Sequence, residues 1–305
     1  MNSGRILIIR GGGIGDFVLA LPAIYALRKR YSNSYIEVMT HPRFFKLVEN
    51  EFYANSACSI DQAAISQFFL QGGNVSIMKD YFKSFDLILA YIPDKEGIFQ
   101  KNLERVNKKK IVFHKPFPDT QTKQHIIDYL LIPVKNLGIK IDINRPQIFL
   151  KDEHKNWANS FFADNKLVDK VLAVHPGSGS IAKCWNVQNF ADVINWWMDK
   201  YGKVLIICGE ADEQIIGECK NLLLDEKFVI AKHIELVNLV SLIARCNWYI
   251  GNDSGITHLA AAVGVKTVAL FGPTDPNIWG QRGENVKIVK IDSSSLDKIK
   301  LFTTI

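Results

Sequence analysis

The stretch that most restricts the fold is residues 249–276, YIGNDSGITHLAAAVGVKTVALFGPTDP. Residues 247–250 and 266–271 read as buried strands, and 256–263 reads as a short helix of small apolar residues. A polar loop follows each strand: Gly251-Asn252-Asp253-Ser254-Gly255 after the first, Gly272-Pro273-Thr274-Asp275-Pro276 after the second. Strand, helix, strand is a βαβ unit. Both loops then emerge on one sheet edge, the edge where open α/β folds bind ligands. Asp253, Ser254 and Gly255 open the helix, and amides at a helix start favour an anion. Taken singly, Asp253 or Ser254 serves equally well as a helix cap, and the prolines as strand stops.

The same alternation begins at the N-terminus. Residues 5–10, RILIIR, form a near-continuous apolar run, as a strand buried on both faces requires. Gly11-Gly12-Gly13-Ile14-Gly15-Asp16 follows, then a helical pattern to Arg30 carrying Val18, Leu21, Ile24 and Leu27. A glycine-rich strand-to-helix turn raises dinucleotide binding. The spacing argues against it, because Asp16 or Val18 stands where the third glycine belongs. A carboxylate at the helix mouth would also repel a pyrophosphate. Asp16 by itself reads as an N-cap, and Pro22 lies where it would kink the helix. Further strands are expected at 35–39, 85–91 and 110–114, with a weaker one near 75–78, and helices at 42–50, 62–71 and 124–137. The loops after residues 39, 91 and 114 share the edge that bears Asp16. They make Thr40, His41, Lys115 and Lys123 weak ligand candidates, with plain surface loop residues as the competing reading.

The periodicity breaks near Arg145-Pro146, so the domains are set at 1–150 and 151–305. A helix over 152–165 leads into a second α/β series, with strands at 170–174, 203–208 and 228–231 and an apolar helix at 236–246. His175-Pro176-Gly177-Ser178-Gly179-Ser180 follows the first of these strands, with Lys183 and Trp185 just beyond. Small residues such as Ser178, Gly179 and Ser180 admit backbone amides to a diphosphate, and Lys183 offers the countercharge. Glu210 ends the next strand, where a carboxylate accepts hydrogen bonds from ribose hydroxyls. Asp212 and Glu213 are expected to cap the helix after it. Residues 293–305 are expected to carry a terminal helix that packs back on the first domain.

Charge is uneven between the halves. Residues 1–150 hold 20 Lys+Arg against 13 Asp+Glu, a balance of +7, whereas 151–305 hold 17 against 18, a balance of −1. A basic first half suits an anionic partner, either a phosphorylated glycolipid or a membrane surface. Nucleic acid ranks low, because basic stripes interleaved with aromatics and recognisable nucleic-acid modules are missing. No run reaches the length of a membrane span, and the N-terminal apolar run passes straight into glycines, as a first strand does and a signal peptide does not. Five scattered cysteines without a CxxC pair indicate reduced thiols and a cytoplasmic setting, with neither a disulfide frame nor a zinc site.

Two motifs in this chain resemble one family. DSGxxHLAAAxG at 253–264, followed by a strand and FGPTDP, is similar to the C-terminal hallmark of glycosyltransferase family nine, the ADP-heptose:lipopolysaccharide heptosyltransferases. GDxxLxxPxxxxLR, starting at Gly15-Asp16, is similar to the N-terminal pattern of the same family, and the segment from His175 through Lys183 to Trp185 is similar to its HPG…KxW motif. The resemblance implies the GT-B architecture, two Rossmann-like domains facing across a cleft. It implies inverting transfer of a heptose from an ADP-sugar to the lipopolysaccharide inner core by an enzyme that visits the inner leaflet. Asp16 would be the general base, with Gly13 and Gly15 on the acceptor side. Ser178, Gly179, Ser180, Lys183, Glu210, Asp253, Ser254, Gly255, His258 and Thr274 would surround the donor. No metal and no other cofactor is expected, since no DxD motif precedes a recognisable donor loop. The competing readings are an epimerase of the same fold, a dehydrogenase, and a silent binder of nucleotide sugars or glycolipids.

Overall fold

The computed structural model describes residues 4–119, 123–168, 170–209 and 211–304. They form two compact α/β units that divide between Arg145 and Pro146. The first holds a five-stranded parallel sheet of β1 (Arg5–Arg10), β2 (Tyr35–Thr40), β3 (Ser56–Ser59), β4 (Leu87–Tyr91) and β5 (Lys110–His114), ordered β3-β2-β1-β4-β5. The second holds six parallel strands: β6 (Lys170–His175), β7 (Gly202–Cys208), β8 (Phe228–Lys232), β9 (Trp248–Asn252), β10 (Lys266–Phe271) and β11 (Val286–Lys290). Their order is β11-β10-β9-β6-β7-β8. In both sheets the order reverses direction beside the first strand, which opens a crevice at the strands' carboxyl ends.

Burial explains the apolar runs. In β6, Leu172 and Val174 enter one core with Trp197, Ile206 and Ile250, whereas Val171 and Ala173 enter the core on the opposite face with Leu205, Leu242 and Tyr249. A strand covered on both faces has no polar side, so alternation disappears from its sequence. Ile6 to Ile9 in β1 are likewise wholly buried.

Several local expectations are corrected. Residues 75–78 form a 3-10 turn and not a strand: Val75 and Met78 are buried while Ile77 is exposed, a spacing of three that a pleated strand cannot present to one core. β3 escapes the sequence pattern because SACS is short and carries no alternation of large apolar residues. Its signal is the pairing with β2. The helix expected over 124–137 is two short helices, Ile126–Leu130 and Ile132–Asn136, with Pro133 in the first turn of the second, where its missing N–H costs no bond. The helix Ile14–Arg30 runs unbroken through Pro22. The terminal helix Ser295–Thr303 contributes to the second unit's core. There Ile299 is fully buried and Leu296 and Phe302 pack against the cluster that contains Trp197.

Candidate functional site

In the second unit, the loops after β6, β9 and β10 meet at the carboxyl edge of the sheet. Asp253 is their hub. It is 4% exposed, and one carboxylate oxygen, Oδ2, accepts from Lys183 Nζ at 2.8 Å and from Thr274 Oγ1 at 2.8 Å. Its backbone carbonyl accepts from Ser178 Oγ at 3.2 Å, and its amide donates to Leu270 O at 2.8 Å. Lys183 retains 32% side-chain exposure, so the ammonium bridges a buried anion and solvent. The ammonium is held in place by Asp253, which balances its charge, and keeps part of its surface open to solvent.

Beside the hub, Ser254 is the N-cap of the helix Gly255–Val263, its Oγ accepting from Thr257 N at 3.4 Å. The first helical amides, beginning with Gly255, have no intrahelical carbonyl to pair with, so they are free to bind an anion. His258 lies one turn into the helix and is buried. Gly179 and Ser180 are exposed in the loop after β6, and the Ser180 carbonyl accepts from Lys183 N at 3.0 Å, which turns the chain back toward Asp253. Ser178, Lys183, Asp253, Ser254, Gly255 and Thr274 are thus brought to one edge. Glu210 lies outside the described residues.

Asn252 and Asp212 have roles that sequence reasoning missed. Asn252 is fully buried at the end of β9; its Oδ1 accepts from Trp185 N at 2.9 Å, and its Nδ2 donates to Pro176 O at 2.7 Å and Gly177 O at 3.3 Å. A polar residue at the end of an apolar strand is the signal for it. Asp212 makes no side-chain cap to the helix Glu213–Asn221. Its Oδ2 instead accepts from His175 Nε2 at 2.9 Å and from Gly209 N at 2.8 Å. Burial alone would raise the Asp212 carboxyl, but the His175 and Gly209 contacts hold it below the usual carboxylate range. Glu213 pairs with Lys232 at 2.8 Å.

Asn252→Ala would leave a buried N–H and two buried carbonyls without their partner. Each orphaned group costs about 1–3 kcal/mol when water cannot replace the contact. Unfolding stability should fall by about 3 kcal/mol or more, read from urea or thermal unfolding. An unshifted transition would show that Asn252 does not hold the loop after β6.

In the first unit, Asp16 sits at the third position of the helix Ile14–Arg30 and is not its N-cap; Gly13 occupies that place. Asp16 Oδ2 accepts from Gly13 N at 2.9 Å, as the reciprocal half of a capping box does. Its Oδ1 lies 4.0 Å from Arg10 Nη2, and Arg10 Nε donates to the Asp16 carbonyl at 3.1 Å. Arg10 is buried, and burial lowers its guanidinium below the usual range while Asp16 and Tyr91 oppose the shift. Gly12 has φ +99°, and a Cβ there would lie 2.7 Å from Asp16 Oδ2, so the turn that presents this carboxylate needs glycine. Gly15 lies in the first turn of the helix and is half-buried. Thr40 is fully buried, which removes it from the surface candidates; His41 pairs with Asp61 at 2.8 Å and Lys115 with Asp119 at 3.2 Å.

Two α/β units, each with a parallel sheet, have the make-up of the GT-B class. The family model for glycosyltransferase family 9 (heptosyltransferase) matches residues 91–301, and the chain belongs to that family. It is 24% identical over 286 residues to lipooligosaccharide heptosyltransferase 2 of Campylobacter jejuni, covering 92% of this chain and 84% of that one. The fold matches the family 9 glycosyl transferase of Veillonella parvula with a TM-score of 0.80 at 19% identity, over 99% of this chain and 90% of that one. It matches the E. coli ADP-heptose lps heptosyltransferase II with a TM-score of 0.74 at 17% identity, over 98% of each chain.

Proposed function

We propose that this glycosyltransferase moves a heptose from an ADP-heptose donor to the inner core of a lipopolysaccharide or lipooligosaccharide, with inversion at the anomeric carbon. The observation that carries the donor reading is the Lys183–Asp253–Thr274 cluster beside the start of the helix Gly255–Val263. A fixed ammonium and free helix-start amides are the groups that stabilise charge developing on a departing diphosphate. The Campylobacter and E. coli relatives, named as heptosyltransferases, support the sugar, and the name of the E. coli protein supports the base.

In this reading Asp16 takes the proton of the acceptor hydroxyl as that oxygen attacks the anomeric carbon opposite the leaving ADP. One carboxylate oxygen is held by Gly13 N, which leaves Oδ1 to receive the proton. Charge on the leaving group is met by Lys183 and by the amides near Gly255, so no metal is required. The test is release of the nucleoside diphosphate (ADP, UDP or GDP) from ADP-heptose, UDP-glucose and GDP-mannose in the presence of a heptose-deficient lipid A–Kdo acceptor, with and without EDTA. Turnover should be confined to ADP-heptose, depend on acceptor and be insensitive to EDTA, and NMR should show an inverted anomeric centre. Faster turnover with another nucleotide, or a changed sugar released without acceptor, would overturn the reading.

The acceptor side is proposed to work at an anionic inner-leaflet surface. No helix among the described residues is long and apolar enough to cross a membrane, and residues 1–150 carry a balance of +7. Attraction of this kind is screened over about 10 Å at 0.1 M salt. Co-sedimentation with phosphatidylglycerol vesicles should therefore be strong at low salt and lost at high salt. Binding that survives high salt would point to apolar insertion instead.

A further inference from the structure

Three buried polar groups line up at the proposed donor site, and two of them, His175 and Asp212, have no part in the chemistry proposed for it. His175, Asp212 and Ser254 are 4%, 7% and 9% exposed, and they form one line: Asp212 Oδ2 is 2.9 Å from His175 Nε2, and His175 Nδ1 is 3.4 Å from Ser254 Oγ. His175 is the last residue of β6, and Asp212 and Ser254 lie in the loops after β7 and β9. The loop after β6 is built around this carboxylate, since a Cβ on Gly177 would lie 1.9 Å from Asp212 Oδ1. A carboxylate buried to this degree is costly to keep unless its contacts serve a purpose.

We propose that His175, oriented by Asp212, is a positioning residue for the donor, acting through Ser254 on the start of the helix Gly255–Val263. This rests on the reading of the second unit as the donor site. An ionised carboxylate only accepts, so His175 Nε2 carries a hydrogen toward Asp212, which fixes the ring with Nδ1 facing the Ser254 hydroxyl. Ser254 Oγ joins His175 Nδ1 to the helix start, where it accepts from the amide of Thr257 and lies 3.2 Å from Thr257 Oγ1. Behind it Thr257 Oγ1 donates to the Asn252 carbonyl and lies 3.1 Å from the buried Tyr249 hydroxyl. The Ser254 hydroxyl is therefore a part of the frame. The donor meets the amides of Gly255 and Ile256, whose direction this frame sets.

The test compares His175→Gln with His175→Asn. The glutamine amide stands near the place of Nε2 and keeps an Asp212 contact, whereas the asparagine amide stands near Nδ1 and keeps the Ser254 contact. The KM for ADP-heptose should be about tenfold higher in His175→Gln than in His175→Asn, the worth of one hydrogen-bonded alignment, with similar kcat. Ser254→Ala, at a less deeply buried position, also loses the cap to Thr257 N; it should raise that KM by at least a similar factor, and its effect on the His175→Gln background should be clearly smaller than on the wild type. Equal KM values in the two His175 variants, or a Ser254→Ala effect that multiplies the His175→Gln effect, would overturn the proposal. Lys183→Ala separates the donor site itself from the relay through His175 and Ser254. Unchanged ADP affinity there removes the donor-site reading and the relay with it, whereas weakened ADP binding combined with equal KM values removes the relay alone.

Discussion

Asp16→Asn should lower turnover by about 10²–10⁴-fold, the usual worth of a general base, while ADP affinity stays near that of the wild type. Asparagine has nearly the size of aspartate, and its side-chain oxygen still accepts from Gly13 N, so the reciprocal half of the capping box survives. What it lacks is a site for the proton of the acceptor hydroxyl. It also leaves buried Arg10 without its nearby anion. Removing one partner of a fully buried pair costs about 3–5 kcal/mol. Asp16 is 27% exposed and the pair is 4.0 Å apart, so solvent screening brings the loss here well below that range. Loss of stability is therefore a separate effect, to be measured by thermal unfolding beside the kinetics. Turnover near wild type, whatever the melting point, would reduce Asp16 to a structural residue of the helix start.

Lys183→Ala should weaken ADP binding by roughly ten- to a hundredfold, as the loss of one charge-assisted contact of about 1.5–3 kcal/mol implies. The structure adds a second effect that acts in the same direction. Lys183 neutralises Asp253, which is almost wholly buried and has Thr274 as its other side-chain partner. Without the lysine, a bare carboxylate stands at the edge where the diphosphate is proposed to bind. Asp253→Asn on the Lys183→Ala background should therefore recover part of the affinity. The double-mutant cycle should show clear coupling, because both side chains share one contact. Calorimetry with ADP decides the matter: unchanged affinity in Lys183→Ala places the diphosphate elsewhere, and additive effects of the two substitutions remove Asp253 from the electrostatics of the site.

Strands, most helices and the loops worth watching were legible in the chain because they depend on short-range physics. A strand covered on both faces is a continuous apolar run, a helix repeats every three to four residues, and glycine and proline mark the turns. That sufficed to nominate Ser178, Lys183, Asp253, Ser254 and Thr274 from separate loops of one sheet edge. Sequence distance hides what tertiary pairing decides. Lys183 and Thr274 lie on opposite sides of Asp253 in the chain, yet both bind the same carboxylate oxygen. Asp212 has the local pattern of a helix cap, and only the meeting of the loops after β6 and β7 turns its carboxylate to His175. β3 is invisible without β2 beside it, and residues 75–78 favour a strand by composition until a core on one side selects a 3-10 turn. By itself, then, the sequence determined the two α/β series, the family motifs and which polar loops follow the strands. The tertiary structure decided which polar groups share a hydrogen bond and which are buried, because those outcomes depend on desolvation and on contacts between residues far apart in the chain.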